Sequence, residues 1–107
     1  MKRQEEQELV FKALANRTRR GILDLLAARP MTTGELCERF DDHDRCTVMQ
    51  HLRVLEKAEL VIVRREGRVR WNYLNVGPIR EIYDRWISRY AANAVDLLAR
   101  LKADLEG

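Results

Sequence analysis

The 107 residues carry 20 Lys and Arg against 17 Asp and Glu, a formal net charge of +3. That length supports one domain over 1–107 with a small core, so a second copy of the chain would supply apolar surface that a monomer lacks. The mild charge permits a nucleic-acid partner without requiring one, and the placement of the basic residues decides. The opening MKRQEEQE is charged where a secretory leader needs an apolar core. No apolar run approaches the roughly 20 residues that span a bilayer. The expectation is a cytoplasmic protein with no membrane partner, whose two cysteines, Cys37 and Cys46, are reduced thiols.

Residues 3–14 predict a first helix, with Leu9, Val10, Ala13 and Leu14 at helical spacing. Asn16 suits the N-cap of a second helix reaching Ala28, with Arg17, Arg19 and Arg20 at its entrance and Pro30 beyond its end. Thr32 or Thr33 caps a short third helix over about 33–40, directing Leu36, Cys37 and Phe40 inward. Asp41–Asp44 reads as a turn, and Asp44 caps a fourth helix from Arg45 to Lys57. Val48, Leu52 and Leu55 form the apolar stripe of that helix. His51 lies beside the stripe and suits a half-buried structural role.

The period then changes to that of strands. Leu60–Arg65 and Val69–Val76 predict a hairpin about Gly67, with Trp71 and Tyr73 packing it on the helices. From Pro78 to Leu105 a last helix of about 42 Å is expected. Its stripe includes Tyr90, Ala94, Leu97, Leu98, Leu101 and Leu105. Together with Leu9 and Val10 of the first helix, these predict a two-fold homodimer interface. Tyr83, Trp86 and Tyr90 have a second reading, folding back on their own domain, while the segment beyond Ala94 faces a partner.

The expected fold is mainly α with a β-hairpin, in the order α-α-α-α-β-β-α, which is a winged helix-turn-helix. The second helix of the helix-turn-helix enters the major groove of duplex DNA. Arg45, Thr47, Met49 and Gln50 are candidates for base edges, because Arg suits guanine, Gln suits adenine and Met suits a thymine methyl. Arg53 and Lys57, further back, suit phosphates. Arg64, Arg65, Arg68 and Arg70 crowd the hairpin, and a phosphate backbone or minor groove would relieve their repulsion. Arg45 and Arg53 taken alone read better as solvated helix charge, and it is the order of elements that favours DNA.

LVFKALANRTRRGILDLLA, TTGELCERF and TVMQHLRVLEKAELVIVRREGRVRWNYLN are together similar to the ArsR family of bacterial and archaeal winged-helix regulators, over about residues 8–90. The resemblance implies a homodimeric transcriptional repressor on a palindromic operator, with the first and last helices forming the dimer. Many members release DNA on binding metal, through a Cys-x-Cys pair in the third helix or Asp and His ligands in the last. Here Glu35-Leu36-Cys37-Glu38 holds one Cys, and the last helix holds no His. No metal or cofactor is therefore expected, and the residues name no inducer. Met49 stands where the family commonly has a small hydroxyl residue, which implies an altered operator preference.

Cys37, His43 and Cys46 form a remote zinc alternative. Thiol sensing by Cys37 or Cys46 is another, since Cys46 lies beside Arg45 near a helix start. A winged-helix module that binds protein rather than bases is the alternative function, which the basic hairpin disfavours. An enzyme has little basis: His43 and His51 have no evident nucleophile partner, and no glycine-rich phosphate loop occurs.

Overall fold

In a computed structural model, the described residues, 2–106, run α1 (Lys2–Leu14), α2 (Arg17–Ala28), β1 (Met31–Thr32), α3 (Thr33–Arg39), α4 (Arg45–Lys57), β2 (Val61–Glu66), β3 (Val69–Leu74), α5 (Gly77–Ile82), a π-helical turn (Tyr83–Ile87) and α6 (Ser88–Glu106). Local chemistry sets the helix starts. Asn16 accepts the Arg19 N–H at 3.0 Å and caps α2. Thr32 and Glu35 form a reciprocal capping box at α3. Asp44 accepts the Thr47 N–H at 2.7 Å and caps α4.

Fully buried Ile22, Leu36, Val48, Leu52, Leu55 and Leu60 join the first four helices to the sheet. Burying each such side chain contributes roughly 1.5–3 kcal/mol. Arg19 and Arg20 fasten the end of α1. Arg19 donates to the carbonyls of Ala13 and Lys12, both at 2.9 Å, and Arg20 to that of Leu14 at 2.7 Å. These are the orphan carbonyls of a helix C-terminus, where cations are favoured.

The sheet has three antiparallel strands in the order β1-β3-β2, one more than the hairpin expected. β1 is two residues long, too short to show a period, and pairs Met31 with Asn72 and Thr32 with Trp71. In the hairpin, Glu66 faces Val69 across a two-residue turn. Gly67 has φ +62° and Arg68 does not share the positive φ, which is the pattern of a type II′ turn.

The register corrects the expectation for Trp71 and Tyr73. Val61 faces Leu74 and Val63 faces Asn72, so Asn72 and Leu74 turn toward the helices. Asn72 is fully buried, and its Nδ2 donates to the Met31 carbonyl at 3.2 Å and Thr33 Oγ1 at 3.1 Å. Trp71 and Tyr73 lie half-buried on the other face. A strand's two faces differ by one residue, and here an amide whose Nδ2 is held by Met31 of β1 and Thr33 of α3, with its Oδ1 buried and unpartnered among the described residues, takes the inner face in place of the aromatics.

Two further corrections concern the dimer stripe. Val10 is 4% exposed and belongs to the chain's own core, while Leu9 is half-buried at its edge. Tyr83, Trp86 and Tyr90 do not fold back and are exposed. The long helix is not uniform either. Ser88 N–H bonds to the Tyr83 carbonyl five residues earlier, which makes the π turn between α5 and α6. α6 buries no residue, and its Ala94, Leu97, Leu98, Leu101 and Leu105 lie open along a molecule 64 Å in its longest dimension. Among the described residues, no helix is long and apolar enough to cross a membrane.

Candidate nucleic-acid interface

The front of α4 is presented by its N-terminal anchor. The Thr47 N–H, the largest influence on Asp44, holds that carboxyl below the usual carboxylate range, so the cap is ionised at neutral pH. The preceding turn is fixed by the His43 N–H to the Phe40 carbonyl at 3.0 Å. His43 also approaches Thr18 Oγ1 at 3.4 Å through Nε2 and Asp42 Oδ1 at 3.0 Å through Nδ1. Val48, Leu52 and Leu55 anchor the other side of the helix in the core.

The remaining face carries the predicted residues. Arg45, Gln50, Arg53 and Lys57 are exposed, and Thr47 is half-buried. Met49 is half-buried against the core and still reaches the surface beside Arg45. Arg45, Cys46, Met49, Gln50 and Arg53 share one shallow depression. His51 is half-buried, as expected, with Arg19 Nη1 3.3 Å from its Nδ1.

The four hairpin arginines divide. Arg65 faces Arg70 across the strands, and Arg64 faces Trp71. Side chains alternate along a strand, so Arg65 and Arg70 share the face of Val63 and Asn72, while Arg64 lies on the other. Arg65, Arg68 and Arg70 line an open groove together with Arg45, Met49 and the start of α3. Arg70 differs from the other three. Its side chain is 17% exposed, and its Nη2 donates to Glu56 Oε2 of α4 at 2.6 Å. The sequence treats Arg70 as one more free cation. The structure engages it internally, with a glutamate fourteen residues away that no local motif marks.

Cys37 is half-buried and Cys46 exposed, and both are free thiols. Among the described residues, no group of three or more His, Cys, Asp or Glu side chains is arranged to hold a metal ion. His43, in the remote zinc set, is instead directed at Thr18 and Asp42.

A short helix, a turn, a capped second helix and a two-stranded basic wing define a winged helix-turn-helix protein. A helix-turn-helix domain family matches residues 14–64. The chain is 36% identical over 72 residues to the transcriptional repressor SdpR of Bacillus subtilis, covering 67% of this chain and 79% of that protein. It is 32% identical over 78 residues to the arsenical resistance operon repressor of Staphylococcus aureus, covering 73% and 74%. Among solved structures, an ArsR-like transcriptional regulator from Rhodococcus sp. RHA1 superimposes with a TM-score of 0.71 at 25% identity, covering 96% of this chain and 95% of that one. The chain belongs to the ArsR family of winged-helix transcriptional regulators. Its relatives are named transcriptional regulators, and its class is that of DNA-binding regulators.

Proposed function

We propose that the protein is a sequence-specific repressor that binds a palindromic double-stranded operator as a homodimer. One observation carries this reading: the front of α4 and the tip of the wing converge on a single groove, with Arg45 and Met49 on one wall and Arg65 and Arg68 on the other. A helix that fits the major groove beside cations suited to the flanking backbone is the arrangement that reads a duplex. In this reading Arg45 and Gln50 contact guanine and adenine edges, and Thr47 and Met49 make the smaller contacts beside them. Arg53, Lys57, Arg64, Arg65 and Arg68 meet phosphates or the minor groove. The apolar line of α6, from Tyr90 through Leu105, forms the dimer with the exposed side of α1, and the two α4 helices then address half-sites about one helical turn apart.

The test is selection of duplexes from a randomised pool by the full chain, followed by a salt titration on the enriched sequence. An inverted repeat is expected, with affinity falling steeply as salt rises. A pool that never enriches, or a single asymmetric site bound by a monomer, overturns the proposal.

A further inference from the structure

Arg70 does not behave as a phosphate-seeking cation. Its guanidinium is mostly shielded, and its Nε is buried without a hydrogen-bond partner. Among the described residues, its one hydrogen-bonded partner is Glu56, at 2.6 Å. Glu56 sits near the end of α4, while Arg70 sits on the wing directly across from Arg65. Two like charges opposite one another on a sheet are destabilising unless a counter-charge is near. The groove gathers Arg45, Arg65, Arg68 and Arg70, and Glu56 holds the last of these from the helix side. This ion pair is therefore a strut between the helix proposed to read bases and the wing proposed to grip the backbone.

We infer that Glu56 is a positioning residue for DNA recognition, acting through Arg70 to fix the angle between α4 and the wing so that both engage one duplex together. The inference rests on the proposed function. It sets two effects against each other. Removing a carboxylate from a surface that faces a polyanion strengthens binding if simple attraction is all that matters. Removing a strut weakens specific binding, because α4 and the wing then meet the duplex out of register with each other. The sign of the change decides between them.

The experiment uses the full chain, the duplex enriched by selection and a scrambled duplex of the same length. Failure of the wild type to enrich any duplex defeats the proposed function. Normal enrichment with an indifferent Glu56 variant defeats this inference alone. Glu56→Ala is expected to lose about tenfold in affinity for the enriched duplex, with the scrambled duplex bound as well as before or better. Arg70→Met, which keeps the half-buried stem, should show a similar loss with an unchanged salt slope. The double variant should lose no more than either single one, as two ends of one strut require. Tighter or equal binding of the enriched duplex by Glu56→Ala overturns the inference. So does additive loss in the double variant, or a salt slope reduced by about one unit in Arg70→Met, which marks a direct phosphate contact.

Discussion

Arg19 Nη1 stands 3.3 Å from His51 Nδ1, so α2 and α4 meet through a guanidinium and an imidazole. The same guanidinium holds the Ala13 and Lys12 carbonyls at the end of α1. A ring nitrogen that faces a permanent donor serves as an acceptor, which requires a neutral ring with its proton on Nε2.

This contact sets a pH dependence. Burial, then the charge of Arg19, then His43 push the His51 pKa below the ordinary histidine value of 6.5. The unfolded chain then binds the proton more readily than the folded one, so the stability contributed is fully present above about pH 6.5 and is lost as pH falls below it. Histidine proton shifts followed by NMR should give His51 a midpoint below 6.5. Urea midpoints measured from pH 7.5 down to 5 should fall less steeply for His51→Gln, whose carbonyl accepts from Arg19 at every pH. A His51 midpoint above 6.5 would contradict the geometry.

Glu59 offers a gain in stability. It has φ +61° just after α4, where the Leu60 N–H reaches the Leu55 carbonyl and the Glu59 N–H reaches that of Glu56. That is the Schellman arrangement, which favours glycine at this position. Glu59→Gly should raise stability by about 0.5–1 kcal/mol, because a side chain in left-handed backbone costs more than glycine gains in unfolded freedom. The Asn75 Nδ2 contact is to the Glu59 carbonyl, and it survives the change. Equilibrium urea unfolding checks the sign.

Leu98 and Val10 separate assembly from folding. Leu98 is exposed on α6, whereas Val10 lies in the core. Leu98→Asp should leave the far-UV spectrum and cooperative unfolding intact while shifting micromolar sedimentation from dimer to monomer. Val10→Asp should instead unfold the chain, since an unpaired charge is driven into the core. A dimeric Leu98→Asp protein would move the interface elsewhere.

Base reading and phosphate contact should separate at Gln50 and Arg68. Gln50→Ala should cost about 1–3 kcal/mol of discrimination at one operator position if its amide pairs with adenine. Arg68→Ala should weaken every duplex alike and reduce the salt slope by about one unit. Anisotropy titrations on the enriched duplex and its single-base variants resolve both, and equal losses from Gln50→Ala on every variant would remove it from base reading.

The parts of the fold governed by neighbouring residues were legible in the sequence. Asn16 and Asp44 cap the helices expected of them, α4 spans Arg45–Lys57 as its stripe predicts, and Gly67 takes the positive φ of the turn. What escaped depends on contacts distant in sequence. The inward turn of Asn72 needs the Met31 carbonyl and Thr33 hydroxyl from some forty residues away. The withdrawal of Arg70 from the charged cluster needs Glu56. Val10 satisfied the spacing of an outer stripe and an inner one equally, and only the packing of α1 on α2 and α4 decides between them. At the candidate interface, sequence therefore located the cations but could not sort Arg70, held within the protein, from Arg65 and Arg68, which stand open.

The π turn at Tyr83–Ile87 decouples chain length from angle. One surplus residue is wound into that turn, and each helical residue advances the chain by about 100°. Deleting a single residue there would restore an ordinary α-helix and leave the leucines of α6 facing nearly as they do now, whereas one more residue inserted in the regular helix beyond it would swing them by about 100° relative to the body. A one-residue deletion is consequently far better tolerated in this turn than in the regular helix after it, where it changes which way the far end of the molecule faces.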